Sequence, residues 1–593
     1  MNTRLILITA FALPLTLAAC GGGSDSSESN ATATSAKTAG LVVSGATVAA
    51  NPSTQAMLAD NATLASAPAT VMANAAPTAA SRAQASHFLA QATFGATNAS
   101  ISTLTGTTQS AWINTQFQVP QTLHRLHLVE AAASGVWVGQ NQVFETFWKQ
   151  AATGKDQLRQ RVAYALSQIF VISMGDAAVN VRTYGVADYY DMLGRNAFGN
   201  FRTLLEDVAR HPMMGLYLSH LRNQKENGAR MPDENFAREI MQLMSLGVYQ
   251  LNQDGSLKTS GGQPIETYSH ADVMGLAKVF TGWSWGGPDR SDNRFSGAVA
   301  AADRDWTPMQ NYPGFHSSST KTFLGVSTNG TGEADLKVAL DTLFNHPNVG
   351  PFFGRLLIQR LVSSNPSPAY ISRVAAAFNN NGAGVRGDMR AVIRAVLLDP
   401  EAASNGSAKK LREPVLRLAN WMRAFNAKSN NGRFLMTQTD DAVNGLGQSP
   451  FRSPSVFNFY RPSYTPPNTS LSAASMVAPE MQITGEPSVI GYLNFMQLVV
   501  PYGTGVSRDI VPDYSAELAL AAQPAQLVDH LALLLMGGEM SSTMRNQLVT
   551  AVTALPVPTA TASNAQAVTT AKTYRVWLAI YLTMASPEYL AQR

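Results

Sequence analysis

Along most of the 593 residues, apolar side chains recur every three or four positions, and two-residue alternation is scarce. That period belongs to helices packed by one face and leaves little room for sheet. The expected fold is therefore mainly α: a large multihelical domain with long irregular loops and at most a minor β-hairpin. In Asp156 to Ser173, the residues Leu158, Val162, Ala165, Leu166 and Ile169 fall on one face, and Asp156 suits the positive helix end. In Pro232 to Leu246, Phe236, Ile240 and Leu243 form the apolar stripe, Pro232 fits the first turn and Gly247 a stop. The same logic predicts helices over Ala271–Thr281, Asp335–Phe344, Val349–Val362, Pro368–Asn379, Gly387–Leu398, Glu413–Phe425, Ala525–Met536, Ser542–Ala554 and Tyr574–Ala585. The hairpin is placed in Val248–Ile265, where Asp254-Gly255 is a turn signal.

Three segments break the pattern. Residues 21–80 are Ala, Ser, Thr, Gly and Asn with almost no aromatics, a composition unable to offset ordering entropy; they read as a low-complexity tether. Residues 284–334, rich in Gly, Ser, Asp, Asn and aromatics, read as a long loop, which in a compact domain is usually functional or flexible, and residues 444–516, rich in Pro, Tyr and Asn, read as extended irregular structure laid on the helical body. The folded part is expected over 81–593, with a possible division into two lobes near 400–445.

The single cysteine, Cys20, closes Leu17-Ala18-Ala19-Cys20 behind Arg4 and the apolar run Leu5–Leu15. This run has the length of a signal-peptide core and is short for a bilayer span. The cysteine context resembles a bacterial lipobox, so residues 1–20 are expected to be a lipoprotein signal peptide with Cys20 acylated. Gly21 in the next position favours the outer membrane or cell surface. More than one acyl chain would suffice as an anchor. With Cys20 so used, disulfides, cysteine-ligated metals and a cysteine nucleophile are excluded. The formal charge of +4 is too small, and too evenly spread, for nucleic-acid binding. Charged residues make up 14%, against a usual ~25%. The 45% hydrophobic residues must then hold the exported chain through its core.

Several stretches carry a family resemblance: Phe88 to Gly95 (FLAQATFG), Asp156 to Phe170, Glu234-Asn-Phe-Ala-Arg-Glu239, Thr281-Gly-Trp283, Lys410-Leu-Arg-Glu-Pro414 and Ser586-Pro-Glu-Tyr589. Their order and spread resemble the bacterial DUF1800 family across the whole folded part. The resemblance implies a large helical assembly and an exported protein. It also implies a partner from a neighbouring exported family similar to sulfatases and phosphatases. It supplies no reaction. After Glu239 many relatives carry a Glu and a His where this chain has Gln242 and Met244, which puts any chemistry of those groups in doubt here.

Two polar stripes stand out. Asn235, Arg238, Glu239 and Gln242 share one face of a helix, and Gln157, Arg161, Tyr164 and Gln168 share one face of the earlier helix. They are solvated faces with an ordinary Glu234–Arg238 pair, or a buried network in which Arg161 grips Glu239, or a functional site. In the last case Glu239, Arg161 and Arg238 are the catalytic candidates. Gly282-Trp-Ser-Trp-Gly286 matches G-x-S-x-G, but a helix before it and a loop after it are the wrong context for a nucleophile elbow. His124, His127 and Glu130, and around the long loop His270, Asp272, Asp303, Asp305 and His316, are weak metal candidates. No spacing fits an EF-hand or H-E-x-x-H. Asp272, Trp283, Trp285 and His316 form a candidate loop site. Trp306, Tyr312, Tyr460 and Tyr464 either cover the core or stack on a ligand or partner. No recognised motif requires a cofactor, and no metal is assigned.

Two functions follow: an exported, lipid-anchored binding or assembly protein acting with another exported protein, or an extracellular hydrolase, with or without a metal, acting on a surface or secreted polymer. The first is preferred, because no nucleophile or ligand set is recognisable.

Overall fold

Many of the helices begin where Ser, Thr, Asp or Asn caps the first turn through its side chain. At the start of helix Arg82–Ala92, Ser81 Oγ accepts the Gln84 N–H at 3.2 Å, and Gln84 Oε1 accepts the Ser81 N–H at 2.9 Å. Ser269 and Asp272 repeat this box before helix His270–Val279. Ser367 caps helix Pro368–Asn379, whose Pro368 fits the first turn.

The computed structural model describes residues 80–404 and 409–593; the expected signal peptide, Cys20 and the expected tether fall on residues 1–79, outside the described residues. The described residues belong to one compact unit. It holds twenty-six α-helices and five two-stranded antiparallel ladders, so the mainly α expectation holds. The ladders pair Thr259–Ser260 with Gln263–Pro264, Trp283–Ser284 with Gln310–Asn311, and Lys321–Phe323 with Val326–Thr328. They also pair Lys410–Leu411 with Ala591–Gln592, and Lys428–Ser429 with Ile510–Val511. The expected hairpin region makes a double turn: Leu251 bridges Leu257 around Asp254-Gly255, and the ladder closes around Gly261-Gly262.

Helix Gln157–Ser167 runs through the core and buries nearly its whole circumference. It packs on helices Gln140–Thr153, Thr183–Asn196 and Val349–Leu361. It stops well before Ser173, because Gln168 and Ile169 turn back onto the Ala165 and Leu166 carbonyls. Helix Asn235–Gln242 is likewise shorter than its apolar pattern.

The segment 444–516 departs from expectation most: it contains the 17-residue helix Glu486–Tyr502. That helix packs on helix Ala565–Ala585, which also contacts helices Pro524–Met536 and Ser542–Thr553. Helix 82–92 docks on helix 524–536, with Ser86 Oγ donating to the Leu533 carbonyl at 2.6 Å. Among the described residues no helix is long and apolar enough to cross a membrane.

Candidate functional site

The polar stripe of helix 157–167 is buried, and its partner is Glu413. Glu413 stands where Pro414 starts helix Pro414–Ala424. Its Oε2 accepts from Tyr164 Oη at 3.0 Å, Gln168 Nε2 at 2.5 Å and Gln448 Nε2 at 2.8 Å. Arg161 donates through Nη2 to the Arg360 carbonyl at 2.7 Å. Lys410 Nζ reaches the Gln359 and Arg360 carbonyls at 2.9 and 3.0 Å and pairs with Glu480 at 3.0 Å. The Arg360 guanidinium lies 4.7 Å from the centre of the Tyr460 ring. Three cations and two carboxylates are thus enclosed together, all of them buried.

Burial pushes the Glu413 carboxyl up, but Lys410, Arg161 and Arg360, with the Gln448 hydrogen bond, hold it below the ordinary range. Burial drives Tyr164 and Tyr460 well above theirs, so both phenols stay neutral donors. Beside this network a small cavity is walled by Tyr164, Gln168, Tyr190, Ser449, Phe451 and Asn458. About 20 Å³ of it is open to the centre of a water molecule, room for one water. Six buried polar atoms without a hydrogen-bond partner gather in the site: Arg161 Nε and Nη1, Glu413 Oε1, Gln168 Oε1, Ser449 Oγ and Asn458 Nδ2. Phe451 and Asn458 have left-handed backbones, φ 61° and 64°. For a phenylalanine that conformation is strained and needs surrounding support. Chemically the site holds ionised groups in fixed positions and offers donors and acceptors to a small neutral guest. A carboxylate held this firmly ionised is a weak base.

A family model described as a protein of unknown function, DUF1800, matches residues 87–591. The chain belongs to the DUF1800 family. Searches of the curated proteins and of the solved structures return no match.

In this DUF1800 protein the two stripes do not meet. Arg161 faces Glu413 and the Arg360 carbonyl, where the sequence pointed to Glu239. Gln157 ties down the preceding helix end, donating to the Gln150 and Gly154 carbonyls at 3.0 Å each. On helix 235–242, Asn235 is exposed and Arg238 forms the ordinary pair with Glu234 at 2.9 Å. Tyr268 Oη donates to Gln242 at 3.3 Å. Glu239 is buried with Oε2 unpartnered; burial raises its pKa, and Arg238 opposes that only in part.

The loop candidates take structural roles. Asp272 accepts from Ser269 of its own cap and from the Leu324 N–H at 2.7 Å. Trp283 is buried and donates to the Val279 carbonyl at 3.2 Å, and Trp285 is buried between Arg182 and Arg304. His316 bridges the Thr281 carbonyl at 2.8 Å and Asp335 at 3.0 Å, with Lys321 on the same carboxylate at 2.8 Å. Ser284 of the G-x-S-x-G match is fully buried and donates to the Phe295 carbonyl. His124 bonds Thr146 and Gln160, whereas His127 faces Glu145. Among the described residues no three His, Cys, Asp or Glu converge as metal ligands.

Lys410, Glu413, Arg360, Gln448 and Glu480 escape sequence reasoning as site residues. The one available signal is the charge-dense Lys410-Leu-Arg-Glu-Pro414 stretch.

Proposed function

We propose that this DUF1800 protein is an exported, lipid-anchored binding or assembly protein that works at the outer membrane or cell surface with another exported protein. The observation that supports it is a rim of arginines on tryptophans beside the long loop. Arg125 lies over Trp306 at 4.9 Å, and Tyr184 packs on the same ring at 6.0 Å. Arg182 and Arg304, both partly exposed, pack on the buried Trp285 at 5.2 and 5.0 Å. Arg195, half exposed, reaches Asp188 at 3.7 Å. Arg, Trp and Tyr are the residue types that dominate protein–protein binding energy, and the ion pairs Arg125–Asp188 and Arg182–Asp305 hold this rim in place.

Cross-linked capture of the full chain from its own membranes tests the reading. One stoichiometric exported partner is expected, and Arg195→Glu with Arg304→Glu should weaken its binding by about 2 kcal/mol or more. A clean monomer, or a partner indifferent to both changes, overturns it.

An extracellular hydrolase is the second reading, favoured by Glu239, whose buried, unpartnered and raised carboxyl is in the state a general acid needs. Polymer hydrolysis abolished by Glu239→Gln would establish it.

A further inference from the structure

Helix 486–502 presents its outer side uncovered. Ile490, Leu498 and Tyr502 share a stripe with the uncharged Asn494, at four-residue spacing, and Val506 beyond the helix end is exposed as well. On the neighbouring helix 565–585, Tyr574, Trp577 and Tyr581 stand three and four residues apart on one side. Trp577 joins the two helices, its ring 6.3 Å from Tyr502 and 5.6 Å from Tyr574. Ile490, Leu498, Tyr502, Val506 and Tyr574 are between 47% and 57% exposed, a largely apolar and aromatic surface in water that the uncharged Asn494 and Gln497 interrupt.

Its charge pattern separates it from the rest of the molecule. No charged residue occurs from Pro487 to Ser507. On helix 565–585 only Lys572 and Arg575 are charged, and Arg575 is turned inward onto the Leu555 and Ala521 carbonyls at 2.7 and 3.0 Å. Lys572 and Arg508 stand at its margin, Arg508 lying 5.8 Å from the Tyr502 ring centre, and the exposed Glu486 marks the far end of helix 486–502. An uncharged aliphatic centre with Tyr and Trp beside it and cations at its margin is what a membrane interface selects. The arginine–tryptophan rim, by contrast, is laced with aspartates and suits a protein.

The position of the chain's entry points the same way. Helix 82–92 rests its first turns on helix 524–536: Ser86 bonds the Leu533 carbonyl, and a Cβ on Gly538 would come within 3.1 Å of that of Ala83. Helix 524–536 packs on helix 565–585, so the residues arriving from Cys20 enter the domain in the same group of helices that carries the bare face. Sixty positions separate Cys20 from Ala80, roughly 200 Å at full extension, so reach is no obstacle. A tethered face meets lipid at high effective concentration, and a contact too weak to hold alone becomes occupied.

We infer that helices 486–502 and 565–585 lay this face on the bilayer that holds Cys20, so that the domain sits on the membrane in a fixed orientation. The inference rests on the lipid-anchored reading above. It also fixes geometry: the rest of the domain, including the rim, is then held at a set height over the lipid.

The test places a polarity-sensitive fluorophore on Leu498→Cys in the full chain, in natural and Cys20→Ser backgrounds, with vesicles of phosphatidylethanolamine and phosphatidylglycerol. Val385→Cys, exposed on the loop that follows helix 368–379, serves as reference. The label at 498 is expected to shift to the blue and to be quenched several-fold more by lipids brominated in their acyl chains than the label at 385. A label at 498 as wet as that at 385 overturns the inference. So does one shielded from water yet unquenched, because a protein then covers the face. Flotation reads the anchor separately. Acylated chain that floats, with Cys20→Ser that does not, upholds the anchor whatever the label reports. Quenching at 498 in a Cys20→Ser chain that still floats upholds the face while the anchor falls. Ile490→Asp with Leu498→Asp should then cut that residual flotation about tenfold or more.

Discussion

Glu413 carries three hydrogen bonds on one oxygen, and Lys410, Arg161 and Arg360 keep it ionised against the cost of burial. Glu413→Gln preserves shape but removes the charge that the cations answer, and leaving buried ions uncompensated costs about 3–5 kcal/mol. The denaturant midpoint should fall to match, with an unchanged slope. A carboxylate depressed by folding contributes stability that is complete above its unfolded value, ordinarily 4.5, and is lost as pH falls through the lower folded value. Denaturation below pH 4.5 should therefore be less pH-dependent in the variant than in wild type. His220 acts in a higher window. Burial lowers its imidazole from 6.5 to about 4, against the opposing bond to the Ala209 carbonyl, while the ring stacks on Phe236 at 3.9 Å. Because the unfolded chain takes up the proton first, this stability is complete above pH 6.5 and disappears as pH falls through about 4. The difference is worth roughly 3 kcal/mol. His220→Phe should flatten the stability profile across that window in denaturant titrations at stepped pH. Arg161, Tyr164 and Gln168 are legible in the sequence as one stripe of a helix. Their partner is not, because Glu413 lies 249 residues beyond Tyr164 and, standing before Pro414, reads as an ordinary helix start.

Between elements, the closest approach belongs to Gly275. A Cβ there would lie 1.8 Å from the Thr322 carbonyl oxygen, so helix 270–279 and strand 321–323 meet backbone to backbone. Gly275→Ala should destabilise the protein by at least about 2 kcal/mol, although alanine is the better helix former by roughly 1 kcal/mol. Gly314→Ala, with nothing within 4 Å and a backbone outside the left-handed region, should stay within about 0.5 kcal/mol in the same melts. Helix 368–379 has the bounds its sequence dictates, since Ser367 and Pro368 fix the start and apolar spacing carries it to Asn379. Helix 486–502 is illegible for the opposite reasons. Apolar residues surround it on all sides, so no stripe stands out, and Pro487, Gly491 and Pro501 look like breakers. Pro487 in fact sits in the first turn, where its missing N–H costs nothing. Pro501 sits in the last turn of the helix, which ends at Tyr502.

At the scale of the whole molecule, the two ends of the folded chain close on its middle. Helix 82–92 packs on helix 524–536, itself packed on helix 565–585, and also on helix 157–167, so the first helix joins the C-terminal group of helices to the central one. The last residues form a ladder with Lys410–Leu411: the Lys409 N–H donates to the Gln592 carbonyl and the Arg412 N–H to the Leu590 carbonyl, each at 2.7 Å. Strands two residues long carry no alternation, so nothing local announces this pairing. Lys410 of this ladder is the partner of Glu480, and Arg412-Glu413 follow its strand directly, which sets the C-terminal strand beside the buried charges. Deleting Ala591–Arg593 should therefore cost more than its hydrogen bonds, each worth about 1 kcal/mol, because water then reaches ions that depend on exclusion. Deleting Arg593 alone removes the pair with Glu588, 3.4 Å apart, and the bond to the Glu539 carbonyl at 2.9 Å, and should cost no more than about 1–2 kcal/mol. Because the ends share one core, the longer deletion should lower a single transition rather than release a second one. Tryptophan fluorescence from Trp148 and Trp421, buried in different parts of the chain, would be followed against far-ultraviolet dichroism. Coincident curves at a lower midpoint support closure of the whole molecule by its C-terminus. Curves that separate would mean that the last helices fold as a unit of their own.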